Sequence, residues 1–197
     1  MRCHLLLSID TSAGTSAAVF DKSCIGFAVF EDPFGHAENV GLAIQQALEQ
    51  AGKTIEEITA IAVGRGPAPY TGLRVGMAAA TALAKANGLP LHGVMTLDAI
   101  AHSAKGKKLL VITDAKRKEL FAATYESGKR LTGPMLLTSA DLDSYSDFEI
   151  LQTSCDARLI GEFAVSEIGV GGDLTDLSAL YLRSPDVTPS PGKKVSG

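Results

Sequence analysis

Residues 64–84 read GRGPAPYTGLRVGMAAATALA, and no other stretch constrains the fold as much. Three glycines and two prolines fall within residues 64–72, so the backbone there is alternately free and locked. An alanine-rich run follows, a strong helix former, closed by Gly88 and Pro90. The segment leading in, ITAIAVG at 58–64, is continuous and apolar, as a buried strand is. A strand, a stiff loop and a helix in succession make part of an α/β unit. Within the helix, Gly72, Gly76, Ala80 and Ala84 recur every fourth residue and form a small-residue ridge that admits a close backbone. Leu73, Met77 and Leu83 supply larger apolar groups, largely apart from that ridge. The expectation is that the ridge meets another helix, of a second copy or of a partner. Packing on the protein's own sheet is the alternative.

The rest of the first half fits that unit. HLLLSID (4–10), SAAVF (16–20) and CIGFAVF (24–30) read as three antiparallel strands. Asp32-Pro33 ends the run. Val40, Ile44, Ala47, Leu48 and Ala51 then recur at helical spacing, with Glu38 in the first turn and Gly52 as the stop. LHGVM (91–95) reads as a strand, and Thr96 as a cap for a short helix. KLLVITDAKRKELFAATYE (108–126) repeats the opening pattern: an apolar strand ending in Asp114, as the first ends in Asp10, then a polar turn and another strand. That suggests a structural duplication. The chain divides at 104/105 into a first lobe (1–104) and a smaller second lobe (105–197). A helix is expected around 176–182, and a mobile tail over 184–197.

Several kinds of chemistry lack their residues. The chain has 197 residues, 46% of them hydrophobic, and a net charge of −4, which argues against a basic nucleic-acid binder. No apolar run is long enough to span a bilayer, and MRCHLLLSID is too short for a secretion signal, so a cytoplasmic protein is expected. Cys3, Cys24 and Cys155 are too few and too scattered for a disulfide framework or a zinc site. His36 and Glu38 make an H-x-E pair, which alone holds no metal and is read as a capping or interface feature. The glycine–proline stretch lacks the lysine of a P-loop. Asp10-Thr11-Ser12, with Gly14-Thr15 behind, stands at a strand end where kinase-like folds hold phosphate. A plain hairpin turn explains the same residues and, with no matching second phosphate loop, is the favoured reading. The matching turn after Asp114 holds Lys116, Arg117 and Lys118 in place of glycines. GVGGD (169–173) reads as a flexible loop. No nucleophile–base pair or metal triad supports a peptidase.

Taken in order, IDTS (9–12), GRGPAPYTGLRVG (64–76), GVMTLDAIA (93–101), TDAKRKELFAATY (113–125) and ALYLRSPDVT (179–188) resemble the TsaB (YeaZ) family. The likeness spans nearly the whole chain, GPxxxTGLR being its most specific part. It implies an α/β, actin-like and sugar-kinase-like (ribonuclease H-like) fold of two related lobes with mixed sheets. It implies a non-catalytic subunit without the metal-binding histidine pair of its relative TsaD. That subunit binds and activates TsaD, acts with the ATPase TsaE, and forms a homodimer when alone. The complex transfers a threonylcarbamoyl group from its adenylate to the adenosine beside the anticodon of tRNAs that read codons starting with A. No cofactor of its own is implied; ATP or ADP at a partner interface stays open, as do Asp10, Thr11 and Ser12 as nucleotide contacts. Carried onto this chain, the interface falls on Val40, Ile44 and Leu48 of one helix and on Gly72, Leu73, Arg74, Gly76, Ala80 and Ala84 of the next. The alternative from another class is an actin- or sugar-kinase-like ATPase or phosphotransferase acting through Asp10.

Overall fold

The computed structural model describes residues 5–32, 34–104 and 108–182, so the expected tail at 184–197 lies outside the described residues. Two sheets organise the chain. The first holds β1 (Leu6–Asp10), β2 (Thr15–Asp21), β3 (Ser23–Phe30), β4 (Ala60–Gly64) and β5 (Leu91–Val94), in the order β3-β2-β1-β4-β5. β1, β2 and β3 pair antiparallel, whereas β4 runs parallel to β1 and β5 parallel to β4. The second sheet holds β6 (Lys108–Asp114), β7 (Glu119–Glu126), β8 (Lys129–Thr138) and β9 (Glu149–Gln152), in the order β8-β7-β6-β9. Here too a three-strand antiparallel meander is joined by a parallel fourth strand beside its first. The second sheet therefore repeats the order and sense of β3-β2-β1-β4, and the likeness of residues 4–21 to 108–126 is a likeness of structure.

Helices cover both faces of the first sheet, which is why its strands read as unbroken apolar runs and not as alternating ones. On one face lie α1 (His36–Ala51) and α2 (Tyr70–Asn87), over Leu7, Ile9, Ala17, Val19, Ile61 and Val63. On the other lie α3 (Thr96–Ser103) and α4 (Ala157–Val170), over Leu6, Ala18, Phe20 and Ala62. The second core also takes in Leu109, Val111, Ala123 and Tyr125 of the second sheet, so apolar packing runs unbroken from one half to the other. Gly52 and Gly88 end α1 and α2 in the left-handed region, as their positions predict.

Two elements depart from the sequence reading. α4 stands where the sequence reading placed no helix. Its signals are nevertheless present: Asp156 caps its start by accepting the Arg158 N–H at 2.7 Å, Ala157, Ile160 and Ala164 face inward, and Gly171 ends it. GVGGD is thus the last turn and cap of α4. The helix expected over 176–182 is instead an extended strap. Asp173 accepts the Thr175 N–H at 2.9 Å and Asp176 the Ser178 N–H at 2.9 Å, local bonds that compete with a helical turn. The strap follows the first sheet: Gly93 N–H donates to Leu174 O at 2.8 Å and Leu180 N–H to Arg65 O at 2.8 Å. Arg65 adds an ion pair with Asp176 at 3.0 Å.

Candidate functional site

The carboxyl ends of β1, β4 and β5 point the same way, and so do those of β6 and β9. In open α/β sheets the crevice beyond such ends is where ligands bind. Here it is a cleft of about 970 Å³ between the two halves. Thr11 and Ser12 line it after β1, residues 67–72 after β4, and Thr96 after β5. Thr113, Asp114 and Lys116 line it at the end of β6, and residues 152–155 beyond β9.

Of the residues read as nucleotide contacts, Thr11 and Ser12 do face the cleft, and Asp10 lies beneath it. Asp10 Oδ2 accepts from the Ser12 N–H at 2.8 Å and from Ser12 Oγ at 2.6 Å. Its Oδ1 has no hydrogen-bond partner and lies against Gly64. Burial, opposed by the two Ser12 bonds, pushes its carboxyl up to about 6. The geometry suits a turn-building residue better than one that holds a metal-bound water. Among the described residues no three His, Cys, Asp or Glu side chains are grouped to hold a metal ion. Cys155 is buried beside the cleft, and burial first, then nearby carboxylates, raise its thiol well above the ordinary range. It is therefore a poor nucleophile.

The cleft carries features that suit an anion. Pro69 precedes α2 and offers no side-chain oxygen to its first turn, so Tyr70–Gly72 bring the positive end of the helix to the cleft. Thr96 is the first helical residue of α3 and not its cap; its N–H donates to Gly66 O at 2.8 Å and its Oγ is buried without a partner. The turn after β6 carries Lys116, where a second glycine-rich phosphate loop would stand in a kinase-like fold. Asp98 stands in the first turn of α3, where it accepts from Tyr125 Oη at 2.8 Å and pairs with Arg130 at 3.2 Å.

The small-residue ridge is placed differently from the expectation. Gly72, Leu73, Gly76, Ala80 and Ala84 are buried in the chain's own interior. A Cβ on Gly72 would come within 2.8 Å of His36 Nε2, and one on Gly76 would strike Thr11 Oγ. What comes close to the ridge's two glycines is Thr11, just past the end of β1, and the side chain of His36 at the start of α1. His36 serves the same joint, with Nδ1 at 2.9 Å from Thr15 Oγ, and is neither a cap nor a surface residue. Val40, Ile44 and Leu48 are half-buried on that core. Outward, α2 shows Thr71, Arg74, Ala78, Ala82 and Lys85. Arg74 sits 3.8 Å above the Tyr70 ring and donates to Tyr181 Oη at 3.2 Å, a cluster with the strap that sequence reasoning did not reach.

Two mixed sheets of matching order, the first covered by helices on both faces, enclose this cleft in an actin-like, sugar-kinase-like fold. YeaZ from Pseudomonas aeruginosa has this fold, with a TM-score of 0.75 and 20% identity over 91% of this chain and 100% of that one. The family model described as TsaD: tRNA N6-adenosine threonylcarbamoyltransferase matches residues 34–158. The Escherichia coli tRNA threonylcarbamoyladenosine biosynthesis protein TsaB is 32% identical over 92% of this chain and 80% of its own length. An uncharacterised Mycobacterium leprae protein, ML0378, is 36% identical over 94% of this chain, which spans 56% of that longer protein. The chain belongs to the TsaB (YeaZ) family.

Proposed function

We propose that this chain serves tRNA threonylcarbamoyladenosine biosynthesis as a non-catalytic subunit that binds and activates TsaD. The observation that carries this reading is the near full-length match to the E. coli TsaB protein. The site agrees with it: Asp10 is turned under the cleft, and a second glycine-rich phosphate turn is replaced by cations. In this reading TsaD performs the transfer to the adenosine beside the anticodon, TsaE joins the complex, and the free chain pairs with itself.

The docking surface is the outer side of the first lobe, where α1 and α2 lie side by side. With the ridge turned inward, the side chains that α2 offers a partner include Arg74, Ala78 and Ala82. Short side chains there let a partner helix approach closely, and Arg74 stacked on Tyr70 gives a preorganised anchor of the kind that dominates interfaces. No helix among the described residues is long and apolar enough to cross a membrane.

Reconstitution tests the reading. Purified TsaD, the threonylcarbamoyl adenylate and an unmodified tRNA are combined with and without this chain. Stable association with TsaD and a clear rise in transfer are expected. Failure to associate, or transfer at the same rate without the chain, overturns it.

A further inference from the structure

The turn between β6 and β7 is the most unusual backbone in the described residues. Lys116, Arg117 and Lys118 all take positive φ, at 63°, 55° and 63°. That region is unfavourable for residues with a side chain, and runs of it are rarer still. Elsewhere the described residues use glycine for most such positions, as at Gly52, Gly88 and Gly171, a Ser127–Gly128 pair, or a lone residue, as at Lys22. The hairpin itself imposes the conformation. Asp114 Oδ1 accepts the Lys116 N–H at 2.7 Å, Ala115 N–H donates to Glu119 O, and Glu119 N–H donates back to Lys116 O, both at 3.0 Å. Glycine or asparagine would meet that demand with little strain. Three cations occupy it instead, and strain retained in this way is characteristic of functional sites.

All three side chains are exposed. Lys116 is ion-paired to Asp114 at 2.9 Å and lines the cleft beside Thr153 and Ser154. Arg117 and Lys118 are not among the cleft's lining residues, so the charge extends beyond it. A small anion held in the cleft would use only the first of the three. A polyanion crossing the mouth of the cleft would use all of them, together with the hydroxyls of Thr153 and Ser154, which also suit phosphate oxygens. The chain as a whole carries −4, so three successive cations are a local exception to its overall charge.

We propose that Lys116, Arg117 and Lys118 form a rigid contact for the phosphate backbone of the tRNA on which the complex acts. The contact reads no sequence; it positions the RNA, and rests on the function proposed above.

The test replaces all three residues by asparagine, which tolerates the left-handed region and removes the charge. The complex of this chain with TsaD is titrated with an unmodified tRNA transcript at several salt concentrations. The triple variant should keep its fold and melt at the same or a higher temperature. Its tRNA affinity should fall about tenfold near physiological salt, and the slope of log affinity against log salt should flatten by about 2. The double variant Arg117→Asn/Lys118→Asn, which keeps the Lys116–Asp114 pair, should fall part of the way and covers the case where the triple variant does not fold. Unchanged affinity and slope in a folded variant overturn the proposal. So does loss of TsaD binding with the free chain's tRNA affinity intact, which would make the turn a contact for an acidic protein surface. If the unaltered chain does not assemble with TsaD, the functional reading falls by itself, and the same fold-change in the free chain's tRNA titration decides the turn.

Discussion

Thr11 Oγ donates to the carbonyl oxygen of Gly72 at 2.8 Å, a buried bond that joins the end of β1 to the first turn of α2. The same hydroxyl occupies the space that a side chain at Gly76 would need. Gly76→Ala should therefore destabilise the protein by about 1–3 kcal/mol, the usual result of overpacking. Gly41 is the control: it lies in α1 with nothing near its Cβ position, so Gly41→Ala should stabilise by roughly 0.5–1 kcal/mol. Thermal unfolding of the two variants reads both effects, and equal shifts would contradict the packing described.

Ala80 and Ala82 separate the two sides of α2. Ala80 is fully buried and Ala82 exposed. Ala80→Arg should thus unfold the chain or lower its melting temperature severely, whatever its partners. Ala82→Arg should leave melting within about 0.5 kcal/mol of the parent while weakening association with TsaD. Light scattering and pull-down on the folded variant decide it, and intact binding by Ala82→Arg would move the interface off this face.

Asp10 makes stability depend on pH. Its folded carboxyl titrates near 6, above the ordinary range near 4, because burial disfavours the charge. The unfolded chain gives up this proton first, so the contribution of Asp10 is fully present below pH 4 and is lost as pH rises towards 6. The loss amounts to roughly 3 kcal/mol. Asp10→Asn should remove that slope and be relatively more stable at pH 7 than at pH 4. Denaturant unfolding across this range checks it; parallel curves for the two proteins would show that the folded Asp10 carboxyl titrates in the ordinary range.

Tyr125 and Asp98 latch the second sheet to α3. The buried Tyr125 hydroxyl donates to Asp98, which Arg130 also approaches. Burial raises the Asp98 carboxyl, and these two neighbours hold it down. Tyr125→Phe should cost about 1–2 kcal/mol and should cost more at pH 7 than in acid, where protonated Asp98 needs its donors less. The measurement is the same unfolding series. A cost that does not change with pH would place the hydroxyl's value in packing.

The first half of the fold was legible because its signals are local. Apolar runs gave β1 to β4, and spacing with Gly52 and Gly88 gave α1 and α2. The repeat was legible through Asp10 and Asp114 at matching strand ends. α4 was readable in principle from Asp156, Ile160, Ala164 and Gly171, but a helix whose buried face is mostly alanine and glycine has a weak apolar pattern. What the sequence could not show was non-local. A ridge of small residues announces that some backbone comes close, and nothing in it says whose. Here Thr11 and His36, 61 and 36 positions before Gly72, pack against its first two glycines, and the exposed side of α2 carries Arg74, Ala78 and Ala82. The cleft was half visible in Thr11 and Ser12. The orphan hydroxyl of Thr96 and the left-handed run at Lys116 depend on how the two halves close and on hairpin geometry.

Nucleoside mass spectrometry of total tRNA from cells depleted of this protein tests the central claim most directly. Loss of threonylcarbamoyladenosine, restored by the intact chain, is the predicted result. An unchanged level with the protein verifiably gone would contradict the account.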